Sequence, residues 1–311
     1  MSTLTPELTL VRPRPMRNPL APLATLARRR FQLTARTPRE LAVPLITPIL
    51  FALVIAPALK DALHTGSAYE SFVATGTIGL LIPLNTLFSG LSVIVDRESG
   101  AQRELLAAPI PRPLLVLGNL VVAFAITALQ IAVLLGFAVA RGIHFHVSGA
   151  GAAWFLAAGA LFTVGMYGVA EARRIHFHVT AGGFVWFFAA SLFFAIGMYG
   201  LAEVLAARVP KAEEYIARVP AVAIVPWFLA GSLFSIKAMP VGLTWIARFL
   251  PLTHGLALVR YGLLHDPTAL HDIWGMHSTG AMAGLSLLVV AVFAALLTRA
   301  ATRVFSHSAI Q

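Results

Sequence analysis

Long apolar runs separated by short charged segments organise this chain. Runs of about 18 or more apolar residues, the length that crosses a hydrocarbon core, stand at 41–59, 71–95, 114–140, 148–170, 180–202, 221–239 and 279–298. The weakest is 221–239, which is interrupted by Pro226 and meets Lys237, so it spans only by borrowing from its flanks or by snorkelling. The pattern predicts an all-α fold, a polytopic transmembrane bundle of six core spans plus one extra.

Two stretches follow a different period. Leu20, Leu23, Leu26, Phe31 and Leu33 alternate with Arg28, Arg29 and Arg30 in an amphipathic pattern suited to the membrane interface. Between Pro240 and Ser278, Trp245, Phe249, Leu252, Leu256, Val259 and Leu263 recur at helical spacing, with Arg248, His254 and Arg260 off the stripe. Pro251 interrupts that stripe. Two short helices, about 241–250 and 253–264, are therefore predicted as a re-entrant hairpin before the last span, with Pro251, Leu252, Thr253 and Arg260 as its marker residues.

The chain also repeats itself. Residues 141–172 and 173–204 align without gaps at an offset of 32, with 18 identities that include His-Phe-His, one Trp, Gly-Met-Tyr-Gly and one Glu. The repeat creates a conflict of sidedness. If the N-terminus and 96–113 share the cytoplasmic side, three successive crossings leave the loop with Arg208, Lys211 and Arg218 outside, against the bias of basic residues for the inside. The simplest repair is that one copy does not cross fully, which leaves six spans with both ends inside. Arg141, Arg173 and Arg174 do not decide which copy that is. Glu171 and Glu203, at matching ends of the copies, are expected at the membrane edge, because burying an acid mid-membrane costs about 2.5–3.5 kcal/mol.

Composition and charge narrow the class. The chain is 58% hydrophobic and 12% charged, where soluble domains are about a quarter charged. Its net charge of +10 is concentrated: eight arginines (12, 14, 17, 28, 29, 30, 36 and 39) precede the first span. They favour a cytoplasmic N-terminus and anionic headgroups, so the lipid bilayer and not nucleic acid is the expected partner. No apolar stretch follows Met1 closely enough to suggest a cleaved signal. Residues 1–40 read as a basic cytoplasmic segment and 41–311 as the transmembrane domain. Cysteine is absent, which removes disulfides and thiolate metal sites.

Candidate chemistry is sparse. His144 and His146, echoed by His176 and His178, have spacing that can ligate zinc or copper. With no carboxylate beside either pair, histidines at a span boundary are the better reading, and no metal site is assigned. Asn85, Asn119 and Gln130 lie within apolar runs, where they either line a pathway or hydrogen-bond between helices. No phosphate-cradling Gly-x-x-x-x-Gly-Lys-[Ser/Thr] occurs, and none of the lysines (Lys60, Lys211, Lys237) follows a glycine. Zinc-protease and nucleophile-elbow signatures are missing too.

DRESGAQRELLAAPIPRPLLVLGNL (96–120), PWFLAGSLFSIKAMP (226–240) and LPLTHGLALVRYGL (250–263) resemble the ABC-2 type permeases, the membrane subunits of ABC exporters of the daunorubicin-resistance kind. The order of elements is similar as well. Ala101, where a Thr is common, Ser235, in place of an expected Pro, and the duplicated unit depart from the pattern. The resemblance implies a non-enzymatic exporter subunit in the cytoplasmic membrane, moving a lipophilic or amphipathic substrate by alternating access. It implies two partners, an ABC ATPase subunit and a second permease copy, with ATP and Mg²⁺ held by the ATPase and no cofactor here. Within 96–113, Arg97, Glu98, Arg103 and Glu104 would then make charge-assisted contacts with the ATPase, while Leu105 and Leu106 anchor and Gly100 ends a helix. The alternative is an integral-membrane enzyme or assembly factor that uses the histidine pairs without an ATPase.

Overall fold

A computed structural model describes residues 21–35, 50, 54–64, 67–108, 110, 112–140 and 180–308. Among these no strand occurs, and four helices are long and apolar enough to cross a membrane, or five if one sharply bent pair counts as a span. In chain order the helices are α1 (Ala21–Ala35), α2 (Ala56–Ala62), α3 (Ser67–Ser89), α4 (Leu91–Glu98), α5 (Ala101–Ala107), α6 (Arg112–Ala140), α7 (Ala181–Arg208), α8 (Ala212–Leu229), α9 (Val241–Phe249), α10 (Pro251–Leu264), α11 (Thr268–Trp274) and α12 (Thr279–Ser308). The protein is a polytopic, all-α membrane protein.

The spans are helices because a backbone in lipid must satisfy its own hydrogen bonds, and several polar side chains on them bond back to the same helix. Thr75, Thr77 and Thr86 return their hydroxyls to the carbonyls of Ser71, Val73 and Ile82 on α3 at 2.7–3.0 Å, so no donor is left facing lipid. Thr180 caps α7 by accepting from the Gly183 amide at 3.1 Å. On α12, Leu288, Val292 and Leu296 project outward at four-residue spacing, an apolar stripe suited to acyl chains.

Cross-contacts set the direction of each helix. Tyr215 donates to the Leu87 carbonyl at 2.6 Å and the Trp227 indole to the Gly76 carbonyl at 2.7 Å, so α8 runs antiparallel to α3. Gly197 lies against Phe293 and Gly200 against Leu297, so α7 and α12 run parallel. Phe124 meets Phe188 edge-on at 6.0 Å, and Leu120 packs against Tyr199, so α6 opposes α7. The α4–α5 elbow therefore shares one end of the bundle with α1, the α7–α8 connection and the last turns of α12. The end of α6, the start of α7 and the top of α10 meet at the other end.

This arrangement fixes which end of the bundle residues 205–220 share. The second copy supplies the crossing helix α7, which brings residues 205–220 back to the elbow end. The first copy lies outside the described residues, as do the four histidines and most of 41–59. The 221–239 expectation needs correcting. The helix starts at Ala212, with Glu213 and Glu214 in its first turn favouring the positive end of its dipole. It stops at Leu229, and Gly231 at φ +78° turns the chain into a short 3₁₀ segment. Lys237 does not snorkel from a span but pairs with Asp272 at 2.9 Å.

Helices α9 and α10 meet at 80°. Pro251 takes the first position of α10, where its missing N–H has no helical acceptor to lose. Leu256 packs at Gly79, and Gly255 at Phe194, 13 residues into α7 and thus roughly 20 Å from its start. At its other end Gly262 closes on Gly183. Helix α10 thus runs antiparallel to the first half of α7. Arg260, 3% exposed, fastens it: the guanidinium lies 3.5 Å over the Phe72 ring and donates to the Ser232 carbonyl at 3.0 Å.

Candidate functional site

The elbow is built by two glycines with different tasks. Gly90 joins α3 to α4 where α8 crosses, and a Cβ there would sit 2.2 Å from the Tyr215 hydroxyl oxygen. Close approach, not turn geometry, demands glycine at that point. Gly100 separates α4 from α5 at φ +80°, with nothing within 4 Å of a Cβ, so its backbone conformation is what demands glycine. Pro113 in the first turn of α6 fits the helix start that follows.

The charged residues of the elbow divide between inward and outward roles. Arg97 donates to the carbonyls of Ala206 at 3.2 Å, Val209 at 2.8 Å and Pro210 at 3.1 Å. These lie at the C-terminal end of α7, whose partial negative charge a guanidinium complements. Arg97 therefore rivets the elbow to the bundle from within. Asp96 pairs with Arg29 of α1 at 3.2 Å, holding the amphipathic helix against the elbow. Glu98, Arg103 and Glu104 are exposed on the outer surface, and Leu105 is half-buried. The outward set is thus a short acidic and basic surface on a rigidly held turn.

Behind the elbow lies a small cavity of about 30 Å³, lined by Leu26, Arg29, Asp96, Leu105, Asn119 and Glu203 among others. Glu203 lies near the end of α7, five residues before Arg208, and is enclosed by neighbouring helices. It is 2% exposed and accepts a hydrogen bond from the Tyr199 hydroxyl one turn earlier. The sequence signal for this pair was available, since Tyr199 and Glu203 stand at i and i+4 on an otherwise apolar helix.

The three pathway candidates do not converge. Asn85 donates to the Gln130 side chain between α3 and α6, a polar clasp inside the bundle. Asn119 stands 11 residues earlier on α6, about 16 Å away along the helix, within reach of the Tyr199 hydroxyl. At the start of α10, about halfway along the bundle, Thr253 is buried, and His254 is fixed between the Arg248 carbonyl at 2.9 Å and Ser286 at 3.2 Å. The carbonyl can only accept, so the histidine carries its proton on Nε2 and Nδ1 accepts from Ser286. The Trp274 indole completes the relay to Ser286 at 2.8 Å. Among the described residues no group of three or more His, Asp or Glu stands together to hold a metal ion.

The described residues form a multi-pass helical bundle with a sharply bent helix pair toward one end and a charge-bearing elbow, held by Arg97, at the other. Residues 22–172 and 153–264 match the profile of the ABC-2 type transporter, and the chain belongs to that family. The two matches overlap inside the first repeat copy, so the match to the family pattern breaks at the duplication. Among curated proteins none matches the chain.

Proposed function

We propose that this chain is the membrane-spanning half of an ATP-driven exporter in the cytoplasmic membrane, with the elbow end in the cytosol. The observation that carries this reading is the elbow itself. Glu98, Arg103 and Glu104 face outward from a turn that Arg97 locks to the end of α7. A push on the outer surface is therefore passed to α7, and through α7 to its extensive partner α12 and to α10. The basic α1 and the basic residues 208–218 share this end, which supports its cytoplasmic placement. An ABC ATPase holding ATP and Mg²⁺ docks on the elbow, and a second permease copy completes the pathway. The cargo is lipophilic or amphipathic: the candidate spans are strongly apolar, and the buried threonines of α3 and α6 turn their hydroxyls to backbone carbonyls of their own helices, which leaves them little to offer a hydrophilic solute.

Pull-down of the tagged chain from detergent with a candidate ATPase tests the reading. The comparison is wild type against the triple variant Glu98→Ala, Glu104→Ala, Leu105→Ala, followed by ATPase assay. Association that weakens at least tenfold in the triple variant is expected. A well-folded chain that binds no ABC ATPase overturns the proposal.

A further inference from the structure

The cavity behind the elbow holds one cation and two acids drawn from three different elements. Arg29 comes from α1, Asp96 from α4 and Glu203 from α7. Arg29 uses one guanidinium nitrogen on one Asp96 oxygen, at 3.2 Å, out of five available N–H donors. Asp96 sits near the rim with its side chain 14% exposed, so water can serve it when its partner leaves. Glu203 is differently placed: one carboxylate oxygen takes the Tyr199 hydroxyl, and the other is buried without a partner among the described residues. Native structures rarely leave such an atom unmatched, and the cavity beside it has room for a water or for an incoming side-chain donor.

The neighbouring contacts bear on which donor arrives. Arg97 ties α4 to the carbonyls that follow Glu203 on α7, so Asp96 and Glu203 move as a pair, and movement of the elbow shifts both relative to Arg29 on α1. Arginine has a long, flexible stem and both acids line the same small space. We propose that Glu203 is a second acceptor for Arg29. The guanidinium exchanges Asp96 for Glu203 when the elbow shifts, so that α1, the elbow and α7 form a two-position charge latch. Its trigger rests on the proposed role of the elbow; the exchange itself does not.

The test uses the chain alone in detergent. Thermal unfolding is measured for Glu203→Gln in the wild type and in Asp96→Asn, where Arg29 has lost its first partner. Glu203→Gln is expected to lower Tm by about 3 °C more in Asp96→Asn than in wild type, a coupling that double-mutant cycles resolve. That excess disappears when Arg29→Gln is added. Equal shifts in both backgrounds, or an excess that survives Arg29→Gln, overturn the latch. A second measurement covers poor folding of Asp96→Asn: the chain has no native cysteine, so the pairs Arg29→Cys/Asp96→Cys and Arg29→Cys/Glu203→Cys can each be offered a bis-maleimide of arginine length. Cross-linking of both pairs supports the latch, and cross-linking of the first pair alone overturns it. Neither readout needs an ATPase, so failure of the latch leaves the proposed function standing, and failure of the pull-down leaves the latch standing.

Discussion

Gly90→Ala is the sharpest perturbation of the elbow. The added methyl would lie 2.2 Å from the Tyr215 hydroxyl oxygen, 3.0 Å from its ring carbon Cζ and 3.1 Å from the Ala202 methyl. Tyr215 is fully buried and donates to the Leu87 carbonyl, so it cannot swing away without breaking that bond. Overpacking of this kind costs about 1–3 kcal/mol, and the lost hydrogen bond adds about 1 kcal/mol. The sum, about 3 kcal/mol, corresponds to a fall in Tm of about 6 °C at roughly 2 °C per kcal/mol. Tyr215→Phe alone forfeits only the bond, about 1 kcal/mol, and it removes the nearest clashing atom. The double variant should therefore be more stable than the sum of the two singles by about 1 kcal/mol. Thermal unfolding of the four proteins in one detergent closes the cycle. Wild-type stability for Gly90→Ala, or strict additivity in the double variant, would refute the close approach of α3, α4 and α8.

Gly100→Ala meets no neighbour but must hold φ +80°, so it costs about 1–2 kcal/mol and acts on the elbow alone. Its expected signature is weakened ATPase binding with the spans intact, read by pull-down beside helical content by circular dichroism. Removing the Asn85–Gln130 clasp by Asn85→Leu strands the Gln130 side chain, whose nitrogen already lacks a partner. The single change should cost more than the double Asn85→Leu/Gln130→Leu, whose net loss is about 0.6 kcal/mol, and denaturation in detergent separates the two. Asp272→Asn deprives Lys237 of its 2.9 Å partner and weakens the Ser235 contact at 2.5 Å. Since Lys237 is largely exposed, a loss of about 1 kcal/mol or less is expected globally, with faster proteolysis confined to residues 230–240 as the local readout.

The local pattern of the chain determined what the membrane alone imposes. Apolar length set the spans that became α3, α6, α7 and α12, because a backbone in lipid must satisfy itself as helix. Pro251 and the four-three spacing around it set the bent pair, and the φ demand at Gly100 set the end of α4. These features depend on neighbours within a turn or two, which a linear reading contains. The family resemblance rested on the same local segments, and the match over 22–172 and 153–264 bears it out.

What remained was decided by contacts between residues far apart in sequence. Hydropathy alone did not say at which end of the bundle the second repeat copy would leave residues 205–220. That Arg97 reaches Ala206, Val209 and Pro210 is visible only once α4 and α7 are packed, and it places 205–220 at the elbow end. Helix 212–229 extends beyond its apolar stretch because its first turn is stabilised by its acids and by Tyr215 docking at Leu87, not by lipid. Glu203 is the clearest case: five residues from a helix end, it is near enough to snorkel, yet Tyr199, Asn119 and the capping α1 enclose it. The cost of burying an acid is set by its surroundings in three dimensions, and those surroundings are supplied by tertiary packing.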